Sequence, residues 1–382
     1  MGITGDLAKR KILPSVAQFA EINQSKFNIE LIGYSRSTAN HTEIKQTLDQ
    51  SSSNNTHKLK NLYFVEGQYD DAEKLDIIFS DLEQNDRLII YLAIPPAVFI
   101  PFLSKACPLN PANIDIIIEK PFGQSLEEAQ EIILKSHSCT LTHRIQFFDH
   151  YAFKASSLIS KFALAHTAEY IMHPINRIEI KALESVNARG REGYYKNVGA
   201  LKDMFQHLVT MYQLAHTLFD IPLLRTENLV INDLQLGQYN HFKEDINDEN
   251  CTTDTYFKLS ANSSNQINIS MESGKSLGTK STSIDLYCTD ETKITWNLDP
   301  DKHICVTKND LEVLSFSLID SNILDHTRML TAIVADDYSR FVSHGEVYNA
   351  WNLYDMIVAY KDQNAVEPII YENALYPIQS FT

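Results

Sequence analysis

A chain of 382 residues can bury two ordinary domain cores. At 44% hydrophobic and 21% charged it has the make-up of a globular protein and not of a disordered one. Lysine and arginine number 33 against 49 aspartates and glutamates, a formal charge of −16, which argues against nucleic acid or an anionic membrane as the main partner. A small anionic ligand would then need a local basic pocket set against the global field.

The chain opens Gly2-Ile-Thr-Gly5-Asp6 and runs straight into a helical pattern. Glycines at such a turn let the backbone approach a pyrophosphate, whose charge the helix N-terminus then stabilises. A strand-like run, Ile29 to Tyr34, ends in Gly33-Tyr34-Ser35-Arg36. An NAD site wants a carboxylate there for the ribose hydroxyls, whereas an arginine suits the 2′-phosphate of NADP. Further strand-like runs follow at Leu59 to Phe64, Leu88 to Ala93 and Ile114 to Ile118, with Leu126 to Leu134 helical behind a Ser125-x-x-Glu128 capping box. The alternation predicts parallel βαβ units, an α/β Rossmann-like dinucleotide-binding domain over residues 1–150. Tyr91-Leu-Ala-Ile-Pro95-Pro96 and Glu119-Lys120-Pro121-Phe122-Gly123 stand at carboxyl ends of its strands, where ligands of such sheets bind. The most apolar stretch, Leu88 to Leu103, is cut by Pro95, Pro96 and Pro101 and falls short of the ~20 residues a membrane span needs.

After about residue 170 the rhythm changes. Ile178, Ile180 and Ala182 alternate with Arg177, Glu179 and Lys181, and strand-like runs recur at Ile267 to Met271, Ile284 to Tyr287, Ile294 to Trp296, Ile304 to Val306 and Leu311 to Phe316. Hairpin spacing predicts a second, α+β domain over 151–382 with a largely antiparallel sheet. The five cysteines (Cys107, Cys139, Cys251, Cys288, Cys305) are scattered, odd in number and without a CxxC pair. Neither a disulfide framework nor a metal site is expected, and with no signal peptide before the first motif the expected home is the cytoplasm.

GITGDLAKRK, IGYSRS, GQYDDA, YLAIPP, IIEKPFG, DHYAFK, REGYY…GALKDM and ESGKSL occur in the order seen in the NADP-dependent glucose-6-phosphate dehydrogenases, and ILDHTRMLTAIVADDYSRFVSHGEVYNAWNLYDMIV resembles that family's carboxyl-terminal helical region. The resemblance implies oxidation of glucose 6-phosphate at C1 with NADP as acceptor. It implies that Gly2, Thr4, Gly5, Asp6, Leu7 and Arg36, with Tyr91 and Pro95, hold the cofactor, and that Lys120 lies between cofactor and sugar. His150, Tyr151 and Lys154 match the family's phosphate clamp, Glu184 and Asp203 its hydroxyl-binding carboxylates, and Lys275 and Lys280 further basic contacts. His207 would be the base, oriented by Asp149. A small sugar phosphate is the implied partner, with no nucleic acid and no membrane; a homodimer through the sheet of the second domain is an assembly the resemblance allows.

The match breaks in three places. The family's helix reads RDxxQNH, with five residues from aspartate to histidine; here Lys202-Asp203-Met-Phe-Gln206-His207 has four. Either a plain helix here replaces a π-bulge there, or the base is misplaced. The family's strand before the glycine turn has no counterpart, so a truncated start is the expectation. The stretch from Gln363 to Thr382 matches poorly, and the domain loops are short. The competing functions are a dehydrogenase of another sugar or sugar phosphate, and a noncatalytic paralogue that binds nucleotide or partners.

Overall fold

The computed structural model describes residues 1–52, 59–83, 85–109, 113–138, 143–155, 157, 173–219, 221–318 and 322–372. The chain divides into two compact units, Met1–Phe153 with Asn322–Tyr348, and Lys154–Ser321 with Asn349–Thr382.

The first unit carries five parallel strands, β1 (Glu30–Ser35), β2 (Asn61–Glu66), β3 (Leu88–Leu92), β4 (Ile114–Glu119) and β5 (His143–Phe148). Helices α1 (Leu13–Asn23), α2 (His41–Gln50), α3 (Ala72–Ser80), α4 (Phe99–Ala106) and α5 (Leu126–Ser138) alternate with them. Such alternation is what the sequence predicts. The strands form two sheets: β1 pairs β2, and β3, β4 and β5 pair in that order. Among the described residues no strand joins β1 to β3. Instead the amino-terminal nitrogen of Met1 donates to Tyr91 O of β3 at 2.8 Å, and Gly2 N donates to Tyr34 O of β1 at 2.8 Å. The carboxyl ends of β1 and β3 are accordingly buried, while their first residues are more open.

The run of isoleucines in β4 is buried throughout, as suits the middle strand of a parallel sheet. Its buried charge, Asp115, is answered by Arg87 Nε at 2.8 Å, Arg144 Nε at 3.4 Å and the Tyr338 hydroxyl at 2.9 Å. The capping box opens α5 in part: Glu128 N donates to Ser125 Oγ at 3.3 Å, while the Glu128 carboxylate takes Gln124 N at 2.8 Å. The segment from residue 322 packs back onto this unit, with Thr327 Oγ1 donating to Ser15 O and Met329, Ile333 and Phe341 sharing a core with Tyr91, Ile117, Phe148 and Phe153.

The second unit is built on a nine-stranded sheet, ordered β13-β12-β11-β10-β6-β9-β8-β7-β14. The strands are β6 (Ile175–Leu183), β7 (Leu229–Tyr239), β8 (Tyr256–Ser263), β9 (Asn268–Gly274), β10 (Ser281–Cys288), β11 (Thr292–Asp299), β12 (His303–Lys308), β13 (Leu311–Ser317) and β14 (Ile369–Tyr371). All pairings are antiparallel except β6 with β9 and β14 with β7. The strictly alternating burial of β11 is the half-buried pattern of such a sheet. A long helix, Glu192–Phe219, contacts β6, β8 and β9 and breaks at Gly199. There φ is 72°, and an added Cβ would lie 2.7 Å from Asp254 Oδ1, so glycine is required twice over. Beyond the break the helix is capped from outside, Leu201 N donating to Asp254 Oδ2 at 2.7 Å and Ala200 N to Asp254 O at 2.9 Å.

The cysteines correct one expectation. Cys251, Cys288 and Cys305 are free, but Cys107, just after α4, is disulfide-bonded. Odd number and irregular spacing gave no local sign of the bridge, because bridging depends on how helices pack and not on spacing alone. Cys139 lies outside the described residues. Among the described residues no helix is long and apolar enough to cross a membrane.

Candidate active site

In the first unit the glycine turn is tight. Gly2 has φ 75°, and a Cβ there would come within 2.1 Å of Ala93 O; Gly5 N donates to Gly2 O at 2.9 Å. Gly2 is thus packed backbone to backbone against Ala93 and admits no side chain, and the helix leaving the turn begins at Asp6, passing through a π-helical stretch, Ala8–Ile12, into α1. This is the fit a dinucleotide's pyrophosphate needs. Thr4 and Leu7 are half-buried, and Asp6 faces outward with its carboxylate 2.7 Å from Arg10 Nε. Arg36 stands exposed past the end of β1, its guanidinium 5.4 Å from the Tyr69 ring centre. It makes no ion pair among the described residues, so its charge is available to a phosphate. Pro95 is exposed at the end of the loop after β3. The Tyr91 hydroxyl is taken by Glu119, and burial first, then the Glu119 charge, pushes its pKa far up.

Lys120 follows β4 directly, and its ammonium ion-pairs with Asp149, both groups almost wholly buried. Burial holds Lys120 below the usual lysine range, against the opposing pull of Asp149 and Glu346. Asp149 Oδ1 also accepts Tyr151 N at 2.9 Å, and His150 Nδ1 lies 3.9 Å from that oxygen. The EKP and DHY motifs therefore meet at one buried carboxylate at the carboxyl ends of β4 and β5. One neighbour went unread in the sequence: His326 is buried with its Nε2 3.8 Å from Glu119 Oε1, and its ring packs near those of Tyr91 and Phe148.

In the second unit Lys154 lies half-buried in a bend, its carbonyl accepting Ser157 N at 3.0 Å. Glu184, just past β6, accepts a hydrogen bond from Lys275, just past β9; the parallel pairing of those strands brings the two ends together. Lys275 is 4% exposed and sits 4.8 Å from the Tyr195 ring centre. Asp203 accepts from the hydroxyls of Tyr194, at 2.9 Å, and Tyr195. His207 follows one turn later, half-buried on the same face of a stretch that is regular α-helix from Ala200 to Phe219. Lys280 is more than half exposed and pairs at 2.7 Å with Asp299. Arg191, Tyr194 and Tyr195 stand together in the REGYY motif. Their motif was legible, but the contact with Asp203 depends on the break at Gly199, which no local pattern announces.

Residues 1–156 match the model of the glucose-6-phosphate dehydrogenase NAD-binding domain. A glucose-6-phosphate 1-dehydrogenase of Emericella nidulans is 23% identical over 439 residues, covering 95% of this chain and 86% of its own. The cytoplasmic glucose-6-phosphate 1-dehydrogenase 5 of Arabidopsis thaliana is 24% identical, covering 97% and 87%. The solved structure of a glucose-6-phosphate dehydrogenase with its substrate glucose 6-phosphate superposes with a TM-score of 0.79, at 20% identity over 98% of this chain and 93% of that one. Along nearly its whole length the chain is similar to glucose-6-phosphate dehydrogenases. The alignment with these relatives runs through both units, so the Glu184–Lys275 pair and the Asp203 helix lie in family-like chain as much as the glycine turn does. The fold class is that of a parallel nucleotide-binding unit and a mainly antiparallel one, as the sequence predicts.

Proposed function

We propose that this protein oxidises D-glucose 6-phosphate to 6-phospho-D-glucono-1,5-lactone with NADP as hydride acceptor. The observation that carries the reading is the match to glucose-6-phosphate 1-dehydrogenases over nearly the whole chain, 97% of it for the Arabidopsis relative. When bound, NADP supplies the nicotinamide that takes the hydride from C1. Gly2, Thr4, Gly5, Asp6 and Leu7 would hold its pyrophosphate, Arg36 its 2′-phosphate, and Tyr91, Pro95 and Lys120 its nicotinamide end. The sugar's phosphate carries close to two negative charges and wants several converging donors. His150, Tyr151, Lys154, Lys275 and Lys280 are the groups proposed for it, Glu184 and Asp203 those for the sugar hydroxyls. His207 takes the C1 hydroxyl proton as the C1–H bonding pair leaves as hydride, so that the C1–O bond becomes the lactone carbonyl. Asp149 is assigned to orient that imidazole and to favour its charged form; in the structure it already stabilises one buried cation, Lys120.

The cytoplasm is the proposed compartment, on the precedent of the Arabidopsis relative, and a homodimer through the nine-stranded sheet the proposed assembly. The latter is supported by Leu311, 73% exposed, and Val313, 45% exposed, along the β13 edge. The test of function is direct: purified protein given glucose 6-phosphate and NADP should form NADPH, seen at 340 nm. A folded protein that forms none, and that glucose 6-phosphate does not stabilise thermally, would sink the reading.

A further inference from the structure

The carboxylate proposed to bind sugar hydroxyls is held in an unusual way. Both oxygens of Asp203 already carry a tyrosine hydroxyl, Tyr194 on Oδ1 and Tyr195 on Oδ2. Arg191 lies over both rings, 4.9 and 5.1 Å from their centres, and Lys275, bonded to Glu184, lies over Tyr195. Burial first and the Asp203 charge second push both phenols far above the ordinary tyrosine range, so each keeps its proton. A phenol whose O–H donates to Asp203 can only accept a further hydrogen bond, and each carboxylate oxygen keeps a lone pair for one more donor.

We propose that Tyr194 and Tyr195 are specificity-determining residues: by donating to both oxygens of Asp203 they hold its carboxylate in one orientation, so that it demands a hydroxyl at one sugar position and penalises a deoxy position there. This rests on the sugar-phosphate reading above. A substrate hydroxyl donates into the fixed carboxylate. A missing hydroxyl would leave the half-buried, fixed carboxylate short of a partner. Sites built in this way reject analogues far more strongly than apolar pockets do. Each tyrosine stabilises the arrangement without touching the reacting C1.

The test compares Tyr194→Phe and Tyr195→Phe with the parent, since phenylalanine keeps the ring under Arg191 and removes only the hydroxyl. kcat and KM are measured for glucose 6-phosphate and for its 2-, 3- and 4-deoxy analogues. The expected result is a KM for glucose 6-phosphate raised about tenfold, with kcat within about twofold, and a penalty against one deoxy analogue reduced by about tenfold. An equal loss on all four sugars, or no loss, overturns the proposal. A second measurement needs no sugar: proton NMR of the Tyr194 and Tyr195 hydroxyls in tyrosine-labelled parent and in Asp203→Asn. Hydroxyl protons held by a carboxylate resonate far downfield and should move upfield in the variant, and unchanged signals overturn the clamp. If the signals move but no sugar phosphate is turned over, the dehydrogenase reading fails and the clamp stands.

Discussion

Two side chains carry opposite kinds of evidence. Arg36 stands exposed without an ion pair among the described residues, whereas almost every charge near the second unit's carboxylates is already engaged. A guanidinium in that position is proposed to select between nucleotides. Arg36→Ala should raise KM for NADP by about tenfold or more while moving KM for NAD little, because only NADP carries the 2′-phosphate; steady-state kinetics with both cofactors checks it. His207 makes a different prediction. His207→Asn should remove turnover by at least about a hundredfold yet leave glucose 6-phosphate binding nearly intact, since the base is lost and the phosphate donors remain. Calorimetric titration beside the kinetic assay separates the two effects. Residues of both kinds were readable because each stands in a motif with a chemical reason for its residue type. The tyrosines that hold Asp203 were not, since they lie eight and nine residues away on the far side of a helix break.

Elements show the same division between local pattern and long-range contact. β4, β6, β10, β11, β12 and β13 announce themselves by apolar runs or alternation. β7 does not: Asn232 and Asp233 interrupt it where its register to β8 shifts. β14 has three residues and exists because it pairs with β7 from far along the chain. That residues 322–348 belong with the first unit has no local signature either; it comes from packed contacts such as those of Met329 and Ile333. The helix bearing Asp203 and His207 takes its cap from one distant group, Asp254, half-buried, its pKa raised to about 6 from 3.8 mainly by desolvation. A carboxyl whose folded pKa is raised stabilises the fold fully below its unfolded pKa, and that contribution is lost as pH rises through the folded one. Asp254 therefore favours folding below about pH 4 and ceases to by pH 7. Asp254→Asn keeps an oxygen for Leu201 N and removes the charge. Thermal melts should show the variant gaining on the parent between pH 4 and 7, by up to about 3 kcal/mol. A constant difference across that range would contradict the assignment.

The whole molecule combines an acidic chain, at −16, with a substrate proposed to be a dianion. The basic groups that would receive it are few, and several are held by carboxylates: Lys120 by Asp149, Lys275 by Glu184, Lys280 by Asp299. Binding should weaken steeply if one is lost, and Lys154→Ala should raise KM for the sugar phosphate by more than about tenfold with a smaller effect on kcat. The fold class was legible throughout because two periodicities, helical and strand, change over near the division between units. The separation of β1 from β3 into different sheets is the feature with most bearing on function, since the glycine turn spans their ends. The most direct measurement is NADPH formation from glucose 6-phosphate and NADP by the purified chain, run beside His207→Asn. The account predicts turnover in the parent and its loss in the variant with sugar phosphate binding retained. Equal rates in the two proteins, or no turnover in a folded parent, would contradict it.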